Sequence, residues 1–440
     1  MARVNRDSTA FAGTTHEGAP ARALTPEQEL RRSVLACLLW EDGFYESGKS
    51  ISDRIAALVP TVKPDRVAAL AVEARTQMHL RHAPLFLVRE MARHASHRPF
   101  VRATLAAIVQ RADELSEFLA MYWKDKRQPI ARSVQRGLAD AFVKFSPYQL
   151  AKYNRDNPIK LRDVLFLTHA KPKDAEQGAV WKQLVDGTLP APDTWEVELS
   201  AGKDKRETWT RLMAEKKLGG MALIRNLRNM VEAKVDDAAI RAGLRAIKAD
   251  RILPFRFIAA ARIMPRFVAE LESAMLANLE GQAELPGMTI VLVDVSGSMD
   301  EKLSAKSDMT RLDAAAGLAV FAREICESAR VLTFSQSVVE VPAYRGLALA
   351  DAVRGSQPHG GTYLGQAVTV VNKEPHDRLI VITDEQSHDA VPGPRGKGYV
   401  VNVAINKPGV GYGPWQHIDG WSDRTLDYIR AVEADDTPRA

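Results

Sequence analysis

Hydrophobic and polar positions follow two different patterns along this chain. From about residue 25 to about residue 280, apolar residues recur at helical spacing in short amphipathic segments. The pattern predicts helices at Leu30 to Trp40, Ile51 to Leu58, Asp65 to Leu80, Pro84 to His94, Phe100 to Arg111, Glu114 to Trp123 and Ile130 to Phe142. It continues through Pro147 to Tyr153, Leu161 to Thr168, Glu176 to Leu184, Lys205 to Lys217, Met221 to Met230 and Ala238 to Ala246. Runs of strand type are absent there. Many short helices joined by short turns suggest helical pairs stacked as an α-solenoid, with no clean sequence period. One globular all-α domain is the alternative. After a linker at Glu280 to Gly287 the chain alternates strands with helices, which predicts a doubly wound α/β sheet. Strands are expected at Thr289 to Val293, Val331 to Phe334, Val338 to Val341, Arg378 to Thr383 and Tyr399 to Val403. Helices are expected at Arg311 to Ala329, Leu364 to Val371 and Asp423 to Val432, and Val391 to Gly398 and Asn406 to Gly420 read as Pro/Gly-rich loops. The expected organisation is a flexible tail at 1–24, a helical domain at 25–285 and an α/β domain at 286–440.

Two of the buried strands run directly into oxygen donors. Met288 to Val293 ends in Asp294-Val295-Ser296-Gly297-Ser298, and Leu379 to Thr383 ends in Asp384. Gly360-Gly361-Thr362 adds a hydroxyl just before a helical pattern. Open α/β sheets bind ligands at the C-terminal ends of parallel strands, and hard oxygen donors on tight turns suit Mg²⁺ or Mn²⁺. The plainer reading is that Asp294 and the serines cap the next helix. Three such loops in this order, however, resemble the metal-ion-dependent adhesion site of the von Willebrand factor A fold. That resemblance assigns Asp294, Ser296, Ser298, Thr362 and Asp384 to the five ligand places. His359, His388 and His417 lie in the loops of this half and admit a soft-metal reading, which the all-oxygen set beside them disfavours.

Charge separates the two patterns. From residue 286 onward there are 15 Lys and Arg against 20 Asp and Glu, which out of 60 and 55 overall leaves 45 against 35 before it. The helical part is thus basic and the α/β part acidic, a balance compatible with nucleic-acid binding by the former. Within it, Lys152, Arg155, Lys160, Arg162, His169 and Lys171 cluster beside Tyr153. Lys and Arg neutralise phosphates, and an aromatic ring stacks on an unpaired base. A solvated helix face with Tyr153 in the core is the alternative. Two further segments are distinctive, Leu218 to Met230 and Arg251 to Ala260, both apolar with interleaved arginines.

In this order, ahead of an A-type domain, these segments closely resemble the TROVE module of the Ro autoantigen family. The sharpest matches are Asp163, Leu165, Leu167, Thr168, His169, Lys171 and Pro172, with Ala222-Leu223-Ile224-Arg225-Asn226-Leu227. The resemblance implies a closed, monomeric ring of HEAT-like helical repeats with the A domain where its ends meet. It implies small noncoding Y RNA on the outer basic surface and single-stranded ends of misfolded RNA in the central hole. It also implies cooperation with an exoribonuclease, polynucleotide phosphorylase. By position Lys152 and His169 match residues that contact Y RNA, while the family's third basic contact falls at Asp156, with Arg155 one place earlier. Arg155 and Lys171 complete the expected RNA-binding set.

Only Cys37 and Cys326 are present, so neither a disulfide framework nor a zinc site is expected, which fits a reducing cytoplasm. No apolar run has the length of a membrane span. No nucleophile–His–carboxylate order or paired-carboxylate signature reads as catalytic. The expected function is an RNA-binding scaffold without chemistry of its own. A metal-dependent protein adaptor and a Mg²⁺-dependent hydrolase using Asp294 and Asp384 are the other classes considered.

Overall fold

The computed structural model describes residues 11–14, 18, 20–22, 24–35, 47–247, 252, 254–277, 279, 284–303, 308–404, 410, 413–420 and 425–436. Cys37, Trp40, Arg251, Leu253 and residues 280–283 of the linker expected at Glu280 to Gly287 lie outside the described residues, and its last three residues already belong to a strand. The chain divides into two compact units, residues 51–204 and residues 1–50 together with 205–440. Compactness therefore groups the helices after 205 with the sheet, whereas the change in hydrophobic pattern falls at 286.

The described residues of the first unit are helical throughout, apart from their turns. Helix Pro64–Thr76 packs on His82–Arg93, and Arg98–Ile108 on Arg132–Phe142. The second of these crossings is close because Gly137 has no side chain; a Cβ there would lie 3.0 Å from the Arg102 carbonyl oxygen. Helix Ala175–Asp186 contacts both Pro147–Tyr153 and Leu161–Thr168, the two helices that bracket the basic cluster.

In the other unit, β1 (Phe11–Thr14) and β2 (Pro20–Arg22) pair antiparallel within the stretch expected to be a flexible tail. Backbone pairing needs no apolar periodicity, so composition alone does not signal it. The main sheet has six strands: β3 (Leu285–Asp294), β4 (Cys326–Phe334), β5 (Val338–Glu340), β6 (Arg378–Thr383), β7 (Lys397–Asn402) and β8 (Trp415–Asp419). Their order is β5-β4-β3-β6-β7-β8, parallel except for the β4–β5 pair. Ile290 and Leu292 join Leu364, Val368 and Val371 of helix Leu364–Val371 in one apolar cluster. Val291 and Val293 point the other way by strand alternation, toward the side where helix Arg311–Ile325 packs on β3 and β4. With both faces covered, β3 and β6 are buried apolar runs.

Several boundaries differ from the sequence expectation, among them these three. The helix expected at Arg311 to Ala329 ends at Ile325, because Cys326 already pairs with Leu285 and the sheet recruits the following residues. The span Met221 to Met230 breaks at Asn226 into Gly220–Arg225 and Leu227–Glu232. The loop expected at Asn406 to Gly420 contains β8, whose Gln416, His417 and Asp419 are buried despite being polar.

Helix Thr425–Asp436 is fastened to the sheet by a buried ion pair. Arg378 Nε and Nη2 donate to the two Glu433 carboxylate oxygens at 2.5 Å each, and Tyr399 Oη donates to Oε1 at 3.0 Å. Removing one partner of such a pair leaves an uncompensated buried charge, which costs about 3 kcal/mol or more. Glu433→Ala should lower stability by that amount in urea denaturation, and a loss under about 1 kcal/mol would show that Arg378 is satisfied by Thr289 and Pro286 alone.

Candidate functional site

Strand β3 connects to β4 on one side, and the chain returns to place β6 on the other. The C-terminal ends of β3 and β6 therefore flank a switch point, where open α/β sheets leave a crevice. Val293 and Ile382 are register partners, so Asp294 and the Thr383-Asp384 pair emerge side by side. Asp294, Ser296, Thr362 and Asp384 are all buried, and Ser298 is partly exposed.

Local hydrogen bonds fix the loops. Ser296 N–H donates to Asp294 Oδ1 at 2.9 Å, and Thr383 Oγ1 donates to Asp294 Oδ2 at 2.6 Å. The two serine hydroxyls lie 3.4 Å apart. Gly297 N–H reaches the Gly360 carbonyl at 3.2 Å, which joins the first loop to the one carrying Thr362. His359 Nδ1 and Asp300 Oδ2, 2.6 Å apart, strap the same two loops. Burial alone would lower the His359 pKa, but the bond to Asp300 outweighs it and holds the imidazole above its ordinary value.

The third loop is stitched to the second in turn. His388 N–H donates to the Thr362 carbonyl at 2.8 Å, and Thr362 N–H donates to His388 Nδ1 at 3.0 Å. Asp389 accepts from Gly365 and Gln366 N–H at 2.8 and 2.7 Å and so caps helix Leu364–Val371. Only glycine fits at 365, since a Cβ would meet the Ala390 carbonyl oxygen at 2.1 Å. The three loops thus converge as one assembly, and His359 and His388 serve as struts within it.

Two buried carboxylates at one switch point are electrostatically costly. Burial, with Asp384 close by, pushes the Asp294 carboxyl up to about 7. Asp384 has a nearer compensation, because Arg311 Nη1 lies 3.3 Å from its Oδ2. The donor set is oxygen only, and the charge on Asp294 calls for a cation, so these residues fit a hard divalent ion. A second acidic group lies behind the first. Glu385, His417 and Asp419 bring one ligand atom each within 4.8 Å of one another, an arrangement that could hold a metal ion. Here it holds the buried guanidinium of Arg32, with Nη2 donating to Glu385 Oε1 at 2.6 Å and Nε to Asp419 Oδ1 at 3.3 Å. His417, a loop histidine by sequence pattern, therefore sits inside an ion-pair network. Arg32 and Asp419 escape sequence reasoning altogether, because nothing in an amphipathic helix or a Trp-Gln-His-Ile-Asp run signals a partner at the far end of the chain.

The basic cluster lies in the other unit. Arg155, His169 and Lys171 are exposed, Lys152 is half-buried, and among the described residues no acidic partner accompanies any of the four. Lys152 Nζ stands 5.9 Å from the ring centres of both Tyr148 and Tyr153. Tyr153 is not a core residue; it is half-buried, with the Arg111 guanidinium 4.7 Å from its ring centre. Asp156 pairs with Lys160 at 2.5 Å, which neutralises the carboxylate at the position where the family resemblance leads one to expect a base. His169 terminates helix Leu161–Thr168 in the left-handed region, with φ 52°. The aromatic surface that the sequence pattern does not reveal is Tyr148, 51% exposed, and Phe166, 59% exposed. Its one signal is the four-residue spacing from Tyr148 to Lys152 on a single helix.

The rat (Rattus norvegicus) telomerase protein component 1 is 23% identical over 314 residues, an overlap of 51% of this chain and 12% of that protein. The chain therefore spans about an eighth of that relative's length. The crystal structure of the Deinococcus radiodurans Ro (RSR) protein is similar with a TM-score of 0.59 at 20% identity, over 94% of this chain and 100% of that one. At that identity the likeness speaks for the fold, a helix-rich region followed by a mixed six-stranded sheet with helices. The family model for the TROVE domain matches residues 18–188 and 179–316, well over half of the chain. This chain belongs to the TROVE domain family, and its fold is that of a Ro protein.

Proposed function

We propose that this protein is an RNA-binding scaffold in RNA quality control or processing, with no catalytic step of its own. The observation that carries the reading is the basic surface of Lys152, Arg155, His169 and Lys171, free of acidic partners among the described residues and flanked by exposed Tyr148 and Phe166. Guanidinium and ammonium groups bind phosphates without reading sequence, and exposed rings stack on unpaired bases. A small Y-like noncoding RNA occupies this surface in the proposal. Single-stranded ends of structured or misfolded RNA enter the centre of a HEAT-like ring formed by residues 25–285. Residues 286–440 act as a von Willebrand factor A-type domain in the same cytoplasmic particle, for which polynucleotide phosphorylase is the exoribonuclease partner.

Asp294, Ser296, Ser298, Thr362 and Asp384 hold Mg²⁺, or Mn²⁺, on this reading. The ion supplies an electrophilic position for a carboxylate of a protein partner. The chain's own part is to place two carboxylates and three hydroxyls on three stitched loops. The histidines and the glutamate beside these donors are already engaged: His359 by Asp300, His388 by Thr362, and Glu385 by Arg32. None of the three is free to act as a general base, which disfavours the hydrolase alternative.

The test is an electrophoretic shift with total small RNA from the host across a salt series, followed by sequencing of what is retained. One or a few structured small RNAs, bound with affinity falling steeply in salt, is the expected result. No retained RNA at low salt would sink the proposal and leave the metal-dependent protein adaptor in its place.

A further inference from the structure

The acidic group behind the cation site is assembled from opposite ends of the chain. Arg32 belongs to helix Pro26–Leu35, while Glu385, His417 and Asp419 follow β6 and complete β8. Arg32 and Asp419 are 387 positions apart, and the Arg32 side chain is 2% exposed. We propose that Arg32 and Glu385 are positioning residues for the divalent-cation site, so that the N-terminal helix sets the geometry of Asp294 and Asp384. The inference rests on the cation-site reading above and deepens it.

A relay of short hydrogen bonds carries the argument. Glu385 follows Asp384 directly and has φ 63°, a left-handed conformation that a non-glycine residue keeps only when its surroundings over-determine it. Those surroundings are explicit. Oε1 accepts from Arg32 and lies 3.2 Å from His417 Nδ1, and Oε2 accepts from Val410 N–H at 3.0 Å. The main chain of Glu385 is tied to the site as well, because its N–H donates to Thr383 Oγ1 at 3.0 Å. That same hydroxyl donates to Asp294 Oδ2 at 2.6 Å. Arg32 therefore reaches one proposed ligand through a covalent neighbour and the other through one hydroxyl.

Charge gives a second reason. Arg32 is the cation between Glu385 and Asp419, both fully buried. Without it, two carboxylates face each other immediately behind the pair that would bind the ion, and Glu385 has cause to abandon its strained conformation. His417 is fixed from its far side by the Val410 carbonyl, 2.9 Å from Nε2. It completes the cage but is not a substitute for the guanidinium fork.

The experiment is Mg²⁺ titration of the full chain by calorimetry, at one temperature below all melting transitions, for wild type, Asp294→Ala, Arg32→Lys, Glu385→Gln and Thr383→Val. Outer partners of metal ligands typically control affinity by about 10- to 100-fold. Glu385→Gln and Thr383→Val should each weaken Mg²⁺ binding by about that factor. Arg32→Lys should fall between them and wild type, since an ammonium keeps the charge but not the fork. A purely structural role for the network would lower the melting temperature and leave the affinity untouched. Folded Glu385→Gln or Thr383→Val protein with wild-type Mg²⁺ affinity overturns the inference, whatever becomes of Arg32→Lys. If wild type binds Mg²⁺ no better than Asp294→Ala, the cation-site reading itself fails and this inference falls with it.

Discussion

Mg²⁺ should raise the melting temperature of the wild-type chain and leave that of Asp294→Ala where it was. A ligand that binds only the folded state stabilises it by about 2.7 kcal/mol at a concentration of about one hundred times its Kd. Asp294 is the proposed ligand most sensitive to substitution because it is fully buried and, among the described residues, has no cationic neighbour comparable to Arg311 beside Asp384. A pH series in chelator gives the complementary result. In the fold the Asp294 carboxyl is pushed up to about 7 by burial and by Asp384, against about 3.9 in an unfolded chain. Between those values the folded state binds more protons than the unfolded one. Stability contributed at this site should therefore fall as pH rises from about 4 to about 7, and level off above. Asp294→Asn, which has no proton to lose, should flatten that slope, and saturating Mg²⁺ at a pH of about 8 should restore the stability of wild type. An equal Mg²⁺-induced shift in wild type and Asp294→Ala would remove Asp294 from the site.

The combined Lys152→Glu and His169→Ala variant should bind RNA about 10-fold or more weakly while keeping its helical circular dichroism. The charge reversal replaces a phosphate partner with a repulsive group, and each phosphate no longer neutralised makes the negative slope of log K against log salt shallower by about 0.7 to 0.9. Weaker binding with no change in slope would mean that the residues act through packing. Lys152 holds its place over two tyrosine rings, so Lys152→Ala would also remove its cation–π contacts with both. His169 needs its own control. It caps its helix at φ 52°, where asparagine and histidine are tolerated better than alanine, and His169→Asn keeps the backbone while removing the imidazole. Unchanged affinity at moderate salt in the double variant would detach RNA binding from this surface.

Much of the three-loop assembly proposed to hold a cation is legible in the sequence because each of its parts is local. A continuous apolar run ending in Asp-x-Ser-x-Ser can be read as a buried strand and its loop without knowing what lies beside it. Arg378–Thr383 has the boundaries expected of it for the same reason, a strand buried on both faces and stopped by a carboxylate. β8 is not legible, since its polar residues are buried by partners that the sequence does not bring near. Arg32 is the extreme case: on a helical wheel it is a charged residue on a surface, and only the fold places it at 1% exposure among acids. In the helical unit the basic residues stand out by composition. Their aromatic companions Tyr148 and Phe166 do not, because amphipathic spacing reads such rings as core.

The clasp between Arg32 and the residues at 385–419 also bears on when the protein is finished. Arg32 leaves the ribosome 353 residues ahead of Glu385 and 387 ahead of Asp419. Domains that fold during synthesis begin from the N-terminal side, but Arg32 of helix Pro26–Leu35 cannot complete its ion pairs until Glu385 and then Asp419 have been made. A chain stalled or clipped before β8 would carry every helix of the basic surface and still lack Asp419, one of the two carboxylates that pair with Arg32. Passage of translation through β8 is thereby written into the structure as a buried arginine.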